Sequence, residues 1–173
     1  MIRIHAADYR SLHYVLSNLC EADRTELLAT CWNAAHLAEE LATRIMGRNG
    51  MALIAAEARP ITAFGLVPMC PGVAVAFAFS TPEYPRAIIP VTRWIRTIGT
   101  TFAIRAGYHR IEARAMQRPY FDRWMRLVGA RAEAKLECFG KHGEDFILYR
   151  WLAREHAQQI RGAPRAATAG NGR

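Results

Sequence analysis

What the chain lacks narrows its class first. No stretch approaches the roughly 20 apolar residues that a membrane-crossing helix needs. The opening run Met1-Ile2-Arg3-Ile4-His5 lacks the apolar core of a signal peptide, so secretion by that route is not expected. The four cysteines, Cys20, Cys31, Cys70 and Cys138, form no CxxC pair, and their wide spacing predicts reduced, mostly buried thiols. The six histidines form no HExxH motif. One turn of an amphipathic helix explains His36-Leu37-Ala38-Glu39-Glu40, and no metal site is expected. The chain also has no GxSxG elbow, no Walker loop and no GxGxxG turn, the signatures of serine hydrolases, P-loop enzymes and dinucleotide binders.

Lysine is scarce as well. Of 23 basic residues only Lys135 and Lys141 are lysine, and with 15 acids the net charge is +8. The excess is not spread evenly. Residues 1–83 carry six Arg and eight acids, 84–149 twelve basic and six acidic residues, and 150–173 five Arg and Glu155. Such a distribution suits a phosphate-facing surface, an acidic partner or nucleic acid, met by the Arg-rich half and the tail. An Arg-rich composition with a solvated face explains it more plainly, and no nucleic-acid recognition motif accompanies it. With 173 residues, 51% hydrophobic and 22% charged, the chain reads as one globular domain with a sizeable core.

Periodicity orders the elements. Ile2–His5 reads as a short strand, Asp8 as a helix N-cap, and Leu12, Val15, Leu16 and Leu19 as the stripe of a first helix. A second helical region covers roughly 24–46, with Trp32-Asn33 as a candidate break and Gly47 and Gly50 as stops. Strands follow at Met51–Glu57, Ile61–Val67 and Val73–Phe79, with Pro68–Gly72 as a turn. The third is apolar throughout, as a central strand covered on both faces would be. Ser80-Thr81-Pro82-Glu83 has the grammar of a helix start, and Val91, Trp94, Ile95, Ile98 and Phe102 mark a long helix stopped by Gly107. Then come a strand at Arg110–Ala115, a short helix from Pro119 to Gly129, a strand over 131–139 with one wet face, a turn at Gly140–Gly143 and a strand at Asp145–Trp151. Trp94, Trp124 and Trp151 fall at apolar positions and read as core. Residues 160–173 read as a mobile tail. Hairpins beside helical crossovers predict a mixed α/β sheet.

This order over residues 2–151 resembles the GNAT fold of N-acetyltransferases. The most specific block is Arg110-Ile111-Glu112-Ala113-Arg114 followed by Arg118-Pro119-Tyr120-Phe121-Asp122-Arg123-Trp124-Met125-Arg126-Leu127-Val128-Gly129, which resembles the strand, short helix and closing glycine of the acyl-CoA site. The segments 18–27, Phe64-Gly65-Leu66-Val67-Pro68 and Ser80-Thr81-Pro82-Glu83 are similar to GNAT-like proteins of tailed phages and prophages. These include the internal virion protein family of short-tailed phages. The resemblance implies a mostly antiparallel central sheet flanked by helices over 1–152, with 153–173 a basic extension. It also implies acetyl-CoA as cofactor, phage structural proteins as partners, and residence in the bacterial host cytoplasm or the virion.

Residue by residue, the implied chemistry is degenerate. Where the family holds the CoA pyrophosphate on a basic, Gly-rich loop, this chain has Ser80-Thr81-Pro82-Glu83-Tyr84-Pro85-Arg86-Ala87. It contains no glycine, Pro82 and Pro85 lack N–H donors, and Glu83 repels phosphate. The residues implied against the coenzyme are Phe79, Ser80, Tyr84, Arg86, Ala87 and Phe121, with the N–H groups of Tyr84, Arg86 and Ala87 as an anion cup. Arg93 and Arg96 share a side of the long helix with Arg86. The family's general acid, a Tyr four residues before the closing glycine, is Met125 here, with Tyr120 nearby. The strand Val73–Phe79 holds no ionisable group, which leaves Glu57 and Glu112 as candidate bases. A solvated turn residue (Glu57) and a surface ion pair (Glu112) are the plainer readings. The expectation is a phage-type GNAT-fold protein with a degenerate acetyl-CoA site, acting in virion assembly or as an internal virion component. The alternative is an acetyl-CoA-dependent N-acyltransferase with an atypical site.

Overall fold

A computed structural model of the chain describes residues 1–31, 35–47 and 50–156. Seven strands form one sheet: β1 (Arg3–Ala6), β2 (Met51–Ala56), β3 (Pro60–Cys70), β4 (Val73–Ser80), β5 (Arg110–Met116), β6 (Arg131–Leu136) and β7 (Phe146–Leu152). They lie in the order β1-β2-β3-β4-β5-β7-β6, and β4–β5 is the parallel pair in an otherwise antiparallel sheet. The apolar run of β4 is central, as expected of a strand covered on both faces.

Helices cover both faces. The first, α1 (Tyr9–Ser17), starts on a capping box: Asp8 accepts from the Ser11 N–H at 2.7 Å, and Ser11 Oγ accepts from the Asp8 N–H. Its stripe Leu12, Val15 and Leu16 packs with Ala42 and Ile45 of α3 (Leu37–Met46) on Ile54, Ala63, Phe77 and Phe79. On the opposite face Val91 and Trp94 of α4 (Ile88–Trp94) pack on Ile61 and Phe64. Farther along that face, Met125 and Val128 join Ala115 and Tyr149 beneath α6 (Pro119–Leu127). Gly129, at φ +88°, turns the chain after α6, a conformation that suits glycine.

Several expectations need correction. The helical region 24–46 is two helices, α2 (Glu21–Thr30) and α3, with Cys31 already extended; the proposed break at Trp32-Asn33 lies outside the described residues. β3 runs through Pro68 to Cys70. Beyond Leu66 it pairs only with β4, so the missing proline N–H interrupts no two-sided ladder. β6 ends at Leu136, and Ala132 and Ala134 are exposed with their charged neighbours, so both faces of this edge strand are wet. Cys70 and Cys138 are exposed, while Cys20 and Cys31 are half-buried; all four are free thiols. Tail residues 157–173 lie outside the described residues, including the stretch expected to be mobile.

The long helix carries the most consequential difference. A π-helical turn, Ile95–Gly99, separates α4 from α5 (Thr100–Arg105). A π turn holds about one extra residue, so everything after it is rotated by roughly 100°. The predicted stripe therefore fails beyond Ile95. Ile98 and Phe102 are exposed, and Gly99 and Ala103 face the sheet instead. A Cβ on Gly99 would lie 3.0 Å from the Trp94 ring, so any larger residue there would push the indole aside.

Candidate active site

Parallel strands β4 and β5 are paired only at Val73–Arg110, Ala74–Ile111 and Val75–Glu112. Beyond that they splay. The remaining edges, Ala76–Ser80 on β4 and Ala113–Met116 on β5, face one another without a ladder. A cavity of about 770 Å³ runs through this opening. Ala78 is exposed although its strand is central.

The two sides of the opening differ. Toward α4–α6 the walls are apolar: Trp94, Ile95, Gly99, Ala103, Trp124 and Tyr149. The small residues turned inward by the π segment leave room there. All three tryptophans read as core line this cavity; Trp151 is buried, while Trp94 and Trp124 are half-buried. Trp124 is pinned by donating from Nε1 to Thr92 Oγ1 at 2.9 Å.

Toward α2 the cavity meets two carboxylates. Asp23 Oδ2 accepts the Ser80 N–H at 2.6 Å, and Glu26 Oε2 accepts the Met116 N–H at 2.9 Å. Residues three apart share a helix face, so one turn of α2 bridges the ends of both strands. The Cys20 N–H adds a bond to the Ser80 carbonyl at 2.7 Å, and Arg118 Nη2 donates to the Ala22 carbonyl at 3.0 Å. Burial pushes the Glu26 carboxyl up to about 7; the Asp23 charge adds to this, while the Met116 N–H and Arg118 oppose it. Burial also raises Asp23, against the Ser80 N–H and the Cys20 thiol. Tyr84, on the same cavity, is raised by burial and by the Asp23 charge, so its phenol stays protonated.

Of the residues the resemblance implied, Phe79, Ser80, Tyr84 and Phe121 line the cavity. Arg86 and Ala87 do not. The Tyr84, Arg86 and Ala87 N–H groups donate within their own turn, to the carbonyls of Thr81, Glu83 and Tyr84, at 3.0, 3.0 and 2.8 Å. The Arg86 guanidinium is bound to Glu57 and Glu83. No anion cup is formed there.

The candidate bases and acid fare similarly. Glu57 lies away from the cavity, tied to the N-terminal ammonium at 2.7 Å and to Arg86; these bonds hold its carboxyl below the usual range. Glu112 reaches the cavity but is bound by Arg110 Nε at 2.7 Å. Tyr120 sits exposed at the rim, accepting from Arg118 Nη1 at 3.0 Å. Met125 is buried on the apolar side.

Asp23 and Glu26 were not among the sequence candidates. One signal was available: α2 lacks the clean apolar stripe of α1, because two acids occupy its inward positions. No group of His, Cys, Asp and Glu suited to a metal occurs among the described residues. The described helices include none long and apolar enough to cross a membrane.

No protein-family model matches the chain, and no curated protein matches it by sequence. Solved structures do match. YncA of Salmonella typhimurium, solved with its cofactor acetyl-CoA, is 17% identical, the match covering 95% of this chain and 98% of that one at TM-score 0.67. A phosphinothricin acetyltransferase of Sinorhizobium meliloti, in complex with acetyl-CoA, is 12% identical over 87% of this chain and 88% of its own, at TM-score 0.67. The ribosomal-protein-alanine N-acetyltransferase of Brucella melitensis is 14% identical over 87% and 99%, again at 0.67. At such identities the likeness is one of architecture: strand order, splayed parallel pair and flanking helices give this chain the GNAT fold.

Proposed function

We propose that the chain is an acetyl-CoA-dependent N-acyltransferase whose general base is Glu26. The observation that carries this reading is a buried carboxylate, raised to about 7, fixed by a backbone N–H at the wide end of the splay. A base poised near the working pH is half ionised there and still strong enough to take a proton.

The cavity suits the acyl-bearing arm of the coenzyme: it is narrow, apolar on one side and edged by unpaired strand backbone. The 80–87 turn offers the coenzyme's diphosphate none of the expected N–H donors. Acetyl-CoA, when bound, supplies an acyl group activated as a thioester. The acceptor amine enters from the α2 side, where Glu26 removes its proton as nitrogen bonds to the acyl carbon. The Ser80 N–H points across the splay to Asp23. By the two-residue alternation of a strand, the Ala78 N–H points the same way and is placed to polarise the acyl oxygen. Met125 gives no proton to sulfur, and none is required for the carbon–sulfur bond to break, since a thiol of pKa ~8.5 leaves as its anion.

A binding-only role in virion assembly followed from the phage-type resemblance and three departures: no glycine-rich loop, no tyrosine acid and no obvious base. The Asp23–Glu26 pair supplies the base and, with the acetyltransferase fold, makes catalysis the better-supported reading. Calorimetry with acetyl-CoA, then a thiol-release assay over a panel of amines, tests it. Binding with turnover that Glu26→Gln abolishes is expected. Absence of both binding and release would return the protein to a binding role, with capsid and tail proteins as the partners to try first.

A further inference from the structure

Among the described residues, Arg114, Arg118 and Arg150 are the arginines that line the splay cavity. Arg150 is bound to Glu155 at 2.7 Å and to Glu133 at 3.4 Å. Arg118 donates to the Ala22 carbonyl and to the Tyr120 hydroxyl, both at 3.0 Å. Arg114 is exposed and makes no hydrogen bond or ion pair among the described residues. Other unpaired arginines, such as Arg105 and Arg123, lie outside this cavity. The acids of neighbouring segments are committed elsewhere. Glu112 binds Arg110, Glu137 and Asp145 bind Lys135, and Glu144 accepts the His142 N–H. Across the ladder Arg114 faces Leu148, with Ala134 beyond it, and on its other side β4 has already parted.

Strand alternation places this cation relative to the base. Ala113 and Ala115 pack beneath α6, so Arg114 and Met116 project on the α2 face. Glu26 holds the Met116 N–H, roughly 7 Å along β5 from Arg114. The guanidinium rests over the Phe139 ring, 5.8 Å from its centroid. Phe139 meets Phe146 at 5.2 Å and stays 44% exposed. The loop that carries Phe139 is tied to α2, where the Lys141 N–H donates to the Ala29 carbonyl at 2.8 Å. One helix thus fixes both the base and the aromatic support of the cation.

We propose that the acceptor is a free amino acid with an apolar side chain, its carboxylate bound by Arg114 and its amine facing Glu26. The proposal rests on the acyl-transfer reading. A guanidinium fork matches a carboxylate with two parallel N–H···O bonds, and Arg114 has that fork free. Phe77, Phe79 and Phe139 line the same cavity and offer apolar cover to the side chain. The products are the N-acetyl amino acid, the coenzyme thiolate and the proton held by Glu26.

Phenylalanine and phenylalaninamide, compared in the thiol-release assay, isolate the carboxylate. The amide has the less basic amine, so a preference for the acid cannot come from easier deprotonation. The intact protein should show kcat/KM for phenylalanine about 10–100-fold above the amide, the effect of one charge-assisted contact. Arg114→Ala should bring the acid down to the amide, mainly through its KM, while acetyl-CoA affinity by calorimetry stays within about twofold. Arg114→Lys keeps the charge without the fork and should restore part of the preference. Arg105→Ala removes an unpaired arginine outside the cavity and should leave the preference whole. Equal kcat/KM for acid and amide, or turnover confined to amines without a carboxylate, overturns the assignment of Arg114 and leaves acyl transfer standing. So does an Arg114→Ala variant that keeps the preference, or one that weakens acetyl-CoA instead. Absence of thiol release with every amine overturns both.

Discussion

The two sides of the β4–β5 splay use burial in opposite ways. On the α4–α6 side, small and aromatic residues keep a space open, and the π turn holds it there by putting Gly99 and Ala103 inward. On the α2 side, the same exclusion of water falls on two carboxylates and makes one of them a base. Low polarity creates room on one side and reactivity on the other. The contrast shows why the site needs no ionisable group on β4 itself: α2 delivers both acids to the strand ends.

The largest effect expected of breaking this contrast is chemical. Glu26→Gln still accepts the Met116 N–H but cannot take a proton. Its kcat/KM should fall about 10²–10⁴-fold. The intact enzyme's rate should rise with pH through about 7 as Glu26 ionises, and the variant should lose that limb.

The same substitution should stabilise the fold. Glu26 is raised from 4.5 to about 7 in the folded state, so between those values the folded chain binds more protons than the unfolded one. Stability therefore falls as pH rises across that window. Above it, the Gln variant should be more stable than the parent by up to about 3 kcal/mol, and the gap should close toward pH 4. Denaturant titrations at both ends of the range check the sign.

On the apolar side, Gly99→Ile puts branched carbons against Trp94 and into the cavity. It should cost about 1–3 kcal/mol of stability and weaken acetyl-CoA more than tenfold, which calorimetry would show. The smallest effect expected is that of Trp124→Phe, which keeps a smaller aromatic ring and loses the bond to Thr92, about 1 kcal/mol in a thermal melt.

Much of the scaffold was legible because each element carries its own period. The Asp8 cap, the α1 stripe Leu12, Val15 and Leu16, the apolar β4 and the Pro119-to-Gly129 helix all stand where pattern placed them, while Leu19, expected in that stripe, lies beyond the end of α1. The stripe Val91, Trp94, Ile95, Ile98, Phe102 was misread after Ile95 because a π turn changes the period without a mark in composition. Glu26 went unseen for a related reason. An acid on a helix reads as solvated unless something shows what that helix faces. Arg86 looked available to phosphate because one of its two partners, Glu57, lies 29 residues away.

The sequence alone determined the order of strands and helices, the central place of β4 and the two missing proline N–H groups of the 80–87 turn, since these depend on neighbours along the chain. Where β4 and β5 part, which acids are dried and which arginines remain free depend on distant segments meeting. Only the tertiary structure could decide them, because burial and ion pairing are properties of space rather than of spacing.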